Sequence, residues 1–300
     1  MARGLLPIAL LAAFASSDAS AIEYAGVCEV SAGTFIGPKH FAVASDESNK
    51  LQVYERGKPK PVGSGIDMVA FTSFDKSDLE GAAALGDRVY WISSHSFTKK
   101  GKDSAKRKVF FATKIEQANG KVTLKGVGQP ALSLRDPLAK AAGVEPRDMD
   151  IEALAPTTEG GLLIGLRKPL LSDGRALIIP FKNPAGVVDH GAQPEFGAPI
   201  RVYLGGRGLR SMDLLAGAQY IIVAGAVSDS PVGFAVFRWS GPGTEPVAVK
   251  GLNLMEIRPE AAMAVPGQDL VQLLSDDGDI CSDEDDPPSK RKFKSIDIKP

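Results

Sequence analysis

From residue 40 onward the apolar residues fall in short runs that are β-branched or aromatic and bounded by polar or turn-forming positions. Leu51-Gln52-Val53-Tyr54, Val89-Tyr90-Trp91-Ile92, Val109-Phe110-Phe111-Ala112-Thr113, Val122-Thr123-Leu124, Ala176-Leu177-Ile178-Ile179, Ile200-Arg201-Val202-Tyr203, Tyr220-Ile221-Ile222-Val223 and Phe234-Ala235-Val236-Phe237 all have this form. Runs of that length and composition predict strands. Gly86-Asp87, Asn119-Gly120, Gly160-Gly161 and Asp173-Gly174 predict the turns between them. Helix is scarce. The best segment is Asp136-Pro137-Leu138-Ala139-Lys140-Ala141-Ala142, with Asp136 as N-cap, Pro137 at the first helical position and Gly143 as terminator.

The pattern also repeats. A short acidic lead, a strand, a turn and a second strand ending in polar residues occur from Asp78 to His95, from Asp150 to Arg167 and from Pro259 to Asp277. Weaker copies run from His40 to Glu47 and from Arg210 to Gly225. A unit that cannot bury its own apolar face must stack on others like itself, so the repeat indicates an architecture. The leads at Asp78, Asp150, Arg210 and Arg258 are 72, 60 and 48 residues apart. Each interval accommodates a four-stranded blade with variable outer loops. The expected fold is therefore all-β: a single β-propeller over residues 22–300, with five blades, or six if they are compact. The final strand, Phe293 to Ile298, has no partner of its own. It is expected to close the ring against N-terminal sequence such as Val27 to Thr34 or Leu51 to Tyr54. A β-sandwich is the competing architecture, but it gives no reason for the motif to repeat.

The N-terminus adds a compartment. Arg3, the apolar stretch Leu5 to Ala15 and the small-x-small sequence Ala19-Ser20-Ala21 read as a secretory signal cleaved after residue 21. An uncleaved anchor is the alternative, but the stretch is shorter than the roughly 20 residues a spanning helix needs. No later stretch is apolar enough to span a bilayer, so a periplasmic or extracellular monomer is expected. The two cysteines, Cys28 and Cys281, flank the repeat array, and a bridge between them would tie its ends together in an oxidising compartment. Metal binding by cysteine is disfavoured, since no second pair stands at zinc-site spacing. Lys+Arg 35 against Asp+Glu 36 leaves a formal charge of -1, which argues against nucleic acid or an anionic membrane surface as partner. Gly 32 and Pro 21 suit a chain of many short strands and turns.

In a propeller the innermost strands converge on a central channel, so equivalent cassette positions meet in space. The leads supply Glu80, Glu152, Asp213 and Glu260; the ends of the second strands supply Asp46, His95, Arg167 and Asp276. Beside them, Gly205-Gly206-Arg207-Gly208-Leu209-Arg210 places two arginines where they can face one anion. The candidate catalytic set is Glu152, Arg167, Arg207, Arg210 and His95, with the arginines gripping an anionic substrate. The candidate metal ligands are Glu80, Glu260, Asp276 and Asp277, and calcium is the expected ion because hard cations take clustered carboxylates. Acids continue from Asp276 to Asp286, a run that reads either as a solvated loop or as part of a calcium site, without EF-hand spacing. The bland alternative for the whole set is a channel whose charges pair with one another. Nucleophile-elbow, zinc-protease, P-loop and dinucleotide motifs are all missing.

Asp150 to Ala155, Gly161 to Arg167, Gly205 to Arg210 and Leu274 to Gly278 together resemble a bacterial domain family of unknown function related in pattern to esterase-like or phytase-like propellers. The resemblance runs from about Asp67 to Asp279. It implies a β-propeller with ester or phosphoester hydrolase ancestry, although the calcium-rich carboxylate set of propeller phytases is not matched residue by residue. Two classes of function follow: a metal-assisted hydrolase of phosphoesters or related esters acting at the channel, or a non-catalytic ligand- or protein-binding scaffold.

Overall fold

Local alternation of the strands is converted into a ring. The computed structural model describes residues 21–118, 120–228, 232–278 and 290–300. The expected signal up to residue 20, Cys281 with its bridge to Cys28, and the acidic run beyond Gly278 lie outside the described residues. β1 (Ile22–Ala25) stands apart at the start. Blade 1 follows with β2 (Ala32–Phe35), β3 (His40–Ser45), β4 (Ser48–Glu55) and β5 (Ile66–Asp67). Blade 2 contains β6 (Leu79–Leu85), β7 (Arg88–Ser93), β8 (Phe110–Ala118) and β9 (Lys121–Ala131). Blade 3 contains β10 (Asp150–Pro156), β11 (Leu162–Lys168), β12 (Ala176–Phe181) and β13 (Ile200–Val202). Blade 4 contains β14 (Gly208–Leu215), β15 (Gln219–Gly225), β16 (Ala235–Trp239) and β17 (Val247–Ala248). β18 (Pro259–Ala264), β19 (Val271–Ser275) and β20 (Lys292–Ile298) complete blade 5, with β1 as its outermost strand.

The chain is thus a five-bladed propeller, and the six-bladed alternative is set aside. Strands within each sheet are antiparallel and pair in sequence order, apart from the closing strand. The innermost strands β2, β6, β10, β14 and β18 pack each on the next and back to the first. Because side chains alternate across a strand, each blade buries two faces. Ala42 and Ala44 face blade 2, whereas Phe41 and Val43 face blade 5. Five apolar clusters result, one between each pair of neighbouring blades.

Closure follows the expected logic with a different segment. β20 pairs with β1, Tyr24 opposite Phe293, rather than with Val27 to Thr34 or Leu51 to Tyr54. Tyr24 stacks on Phe293 at 5.3 Å between ring centroids and meets Phe41 and Tyr54 edge-on, so the seam is sealed by aromatic contacts. Their burial, at about 2 kcal/mol per large side chain, favours the closed ring. His40 to Ser45, in the first weak copy of the repeat, is the second strand of its blade, as Asp46 at a second-strand end requires, and β2 is the inner one. Among the described residues three short helices lie between strands: α1 (Val69–Thr72), α2 (Arg135–Ala142) and α3 (Pro184–His190). α2 ends at Gly143 in the left-handed conformation as expected, but its N-cap is Leu134, not Asp136.

Candidate functional site

The inner strands enter the channel through bulges. Pairing slips between Leu79 and Gly81, Ile151 and Ala153, Leu209 and Ser211, and Pro259 and Ala261. The residues passed over are Glu80, Glu152, Arg210 and Glu260. A bulge takes a residue out of the ladder and re-aims its side chain, so these four side chains serve the channel mouth rather than the blade faces. Blade 1 has Ser31 at the corresponding place, buried, with its hydroxyl donating to the Leu79 carbonyl. Blade 4 therefore contributes Arg210. Asp213, expected there, instead accepts from the backbone N–H of Ala264 at 2.8 Å and ties β14 to β18.

On one side of the mouth the charges alternate. Arg167 Nη1 lies 2.5 Å from Glu152 Oε1 and 3.7 Å from Asp150. Arg210 Nη1 lies 3.0 Å from the other Glu152 oxygen and 2.6 Å from Glu260. Burial is compensated only in part, because Glu152 and Glu260 share the Arg210 guanidinium. Burial, then the Glu152 charge, pushes Glu260 up to about 8 against the pull of Arg210. The same two causes push Asp150 up to about 7. Burial lowers the pKa of Arg167, but the attraction of Glu152 and Asp150 outweighs it and the net shift is upward.

The other side is almost purely acidic. Asp46, which follows β3, Asp78, which precedes β6, and Glu80 bring carboxylate oxygens within 4.8 Å of one another. Asp78 is held by Arg107 at 2.9 Å and by the Ser94 hydroxyl. Glu80 makes no hydrogen bond or ion pair among the described residues, and it is enclosed by protein on nearly all sides while keeping some surface open to the channel. Burial, then the charges of Glu152 and Asp78, holds it well above the ordinary range. Burial, then Glu29 and Glu47, pushes Asp46 up to about 7. Glu29, Asp46 and Glu47 form a second group within the same span, but there Lys76 already pairs with Glu47. The backbone is also special, since Asp78 and His95 hold left-handed φ angles of 53° and 55°. Both conformations are fixed by short bonds, Ser94 N–H to Asp78 O at 2.9 Å and His95 N–H to Arg107 O at 2.8 Å.

Of the expected residues, Glu152, Arg167, Arg210 and Glu260 come together in the alternating ladder, and Glu80 joins the acidic group beside it. Others are engaged by neighbouring backbone or side chains. Arg207 donates to the carbonyls of Gly233 at 2.7 Å, Gly205 at 3.2 Å and Leu204 at 3.3 Å, so it pins a loop and does not grip an anion beside Arg210. His95 is fully buried; its Nδ1 donates to the Ser93 carbonyl at 2.9 Å, and burial pushes it down to about 4, so the ring is neutral at physiological pH. Ser94, not His95, stands at the strand-end position. Asp277 is buried and accepts from the Ser275 hydroxyl at 2.7 Å and the Lys294 N–H at 2.8 Å, so it ties the end of β19 to β20. Asp276 stays at the mouth: its backbone bridges to Glu29, its carboxylate accepts from Gly278 N–H at 2.9 Å, and its charge adds to the upward push on Glu260. Asp46 and Asp78 were marked only as cassette positions, and nothing in the spacing marked them as a pair. Arg107 carried no sequence signal beyond a basic run.

No family model matches the chain, and no curated protein matches it in sequence. In fold it is similar to the PQQ-bound aldose sugar dehydrogenase from Streptomyces coelicolor, with a TM-score of 0.49 at 10% identity over 93% of this chain and 99% of that one. A putative oxidoreductase (glucose dehydrogenase) from Thermus thermophilus gives 0.47 at 11% over 93% and 100%. Myxococcus xanthus glutaminyl cyclase gives 0.46 at 12% over 92% and 94%. Likenesses of this size say nothing about chemistry.

Proposed function

We propose that this propeller binds a divalent cation, calcium, at the channel mouth through Asp46, Asp78 and Glu80. The observation that carries the reading is their convergence with a single ion-pair partner among the described residues, Arg107, for three acids. Such a group is relieved either by taking up protons or by binding a cation, and hard oxygen ligands with open positions for water suit calcium. A bound calcium would supply Lewis-acid polarisation to a phosphoester or ester held against it. Because Arg167 and Arg210 are engaged by Glu152 and Glu260, an anionic substrate would approach through the acidic side. Glu260, which holds its proton near neutral pH, is the group suited to protonate a leaving alkoxide there. The signal segment and the cysteine pair support a periplasmic or extracellular setting.

A second reading is a non-catalytic binding propeller, and the ladder Arg167, Glu152, Arg210 and Glu260 favours it, since paired charges are what a structural channel needs. One experiment separates the two. Calcium is titrated calorimetrically into the mature protein and its Glu80→Gln and Asp46→Asn variants, followed by a screen of nitrophenyl phosphate and carboxylate esters. Micromolar binding lost in both variants, with turnover that follows it, supports the hydrolase. Binding without turnover leaves the scaffold. Absent binding, or binding indifferent to both changes, removes the cation site.

A further inference from the structure

The opposite end of the channel carries a site of different character. All five inner strands run through the ring in one direction, so their last residues gather at the far mouth. There a cavity of about 620 Å³ is lined by residues of every blade, among them Phe35, Ala84, Pro156, Leu214 and Ala264. That volume lies within the range of small-molecule sites, roughly 300–1,000 Å³. The collar of inner-strand ends is mostly apolar; Asp213 is the acid set within it, and a second acid, Asp269, lies exposed in the outer wall. The two carboxylate oxygens of Asp213 accept from Leu214 N–H and Ala264 N–H, each at 2.8 Å, which orients the group and leaves its charge in place. No cationic side chain among the described residues offsets that charge. Burial pushes Asp213 up to about 6, and only the two backbone bonds oppose the shift. Arg238, also in the wall, is turned to the Gln219 side chain and to the Pro300 carbonyl, the latter at 3.4 Å.

We propose that this far-mouth cavity binds a small organic cation with an apolar body, its ammonium group against Asp213 and its body within the collar of inner-strand ends. A half-buried carboxylate without a counter-ion, facing a space large enough for a ligand, gains most from a cation that brings its own apolar surface. A neutral molecule would leave the charge unmatched, and an anion would add to it. This site is separate from the acidic mouth and independent of the calcium reading.

The test is a calorimetric titration of benzyltrimethylammonium into the protein in chelator, with benzyl alcohol and benzoate as size-matched controls. Saturable binding of the cation is expected, at least tenfold tighter than either control. It should be lost when the collar is filled by Ala84→Leu or Ala264→Leu, weakened at least tenfold by Asp213→Asn, and unchanged in Glu80→Gln. Because Asp213 also ties β14 to β18, the two alanine variants, which keep that tie, decide the matter if Asp213→Asn does not fold. Equal affinity for benzyl alcohol, binding that survives both collar fillings, loss in Glu80→Gln, or no binding of the cation overturns the proposal.

Discussion

Replacing Glu80 with glutamine should make the cation-free protein more stable at pH 8 and hardly change it at pH 5. Glu80 has no hydrogen bond or ion pair among the described residues to lose, and glutamine keeps its shape. Two costs compete in the native protein at pH 8. Keeping Glu80 protonated, when its unfolded counterpart titrates at the ordinary 4.5, costs about 1.4 kcal/mol per pH unit, or about 5 kcal/mol at pH 8. Ionising it instead places a charge where burial, first, and then the charges of Glu152, Asp78 and Asp46 oppose it. The cheaper route sets the cost, so Glu80→Gln should gain stability at pH 8, by at most about 5 kcal/mol, the cost of the protonation route.

At pH 5 the protonation route costs only about 0.7 kcal/mol, and the gain should shrink to that. The direction follows from the raised folded pKa of a carboxyl group: its favourable contribution is complete below the unfolded value and is lost as pH rises toward and through the folded one. Urea unfolding in chelator at both pH values reads the difference, as a midpoint shift on the order of 1 M at pH 8. A variant no more stable than the parent at pH 8, or a gain equal at both pH values, would refute the reasoning.

Removing the shared guanidinium with Arg210→Met should cost about 3–5 kcal/mol at pH 7, because the Glu152 carboxylate and the Glu260 carboxyl lose their common partner; urea unfolding checks it. Gly208→Ala should be more damaging than a surface change, on the order of 3 kcal/mol or above, since its Cβ would fall 2.1 Å from the Arg167 carbonyl oxygen; thermal melting checks it. If Cys28 is bridged to Cys281, as the Asp277 N–H to Cys28 carbonyl bond at 3.3 Å supports by bringing the chain end near, thiol titration of the unfolded protein should find no free thiol. Cys28→Ser should then lose about 5 kcal/mol, the scale for closing a loop of about 250 residues.

The propeller ring and most strands were legible in the residues, with five or six blades both allowed, because period-two alternation and turn chemistry act over a few positions. The cassette leads at Asp78, Asp150 and Arg258 stand just before or at the start of an inner strand, as their pattern indicated. The ladder was legible in part for the same reason, since Glu152 and Arg167 belong to one hairpin. Arg210 was recognised as a lead but taken for an anion-gripping group, because nothing local shows that Glu152 and Glu260, from the blades on either side, converge on it. Arg207 and His95 were misread because a polar residue at a strand end looks alike whether it faces the channel or turns onto backbone.

Local pattern alone therefore determined that this chain is a ring of repeated antiparallel sheets with acids at its inner edge. Tertiary structure decided which acids meet. Asp46, Asp78 and Arg107 lie in separate connections, and their meeting depends on the packing of blade 1 against blade 2 and on the bulge that turns Glu80 inward. It also decided that Ile22 to Ala25, not a later segment, closes the ring. Several N-terminal segments could pair with β20 by composition; the aromatic seam of Tyr24, Phe41, Tyr54 and Phe293 forms with one of them, and burial of those rings selects it.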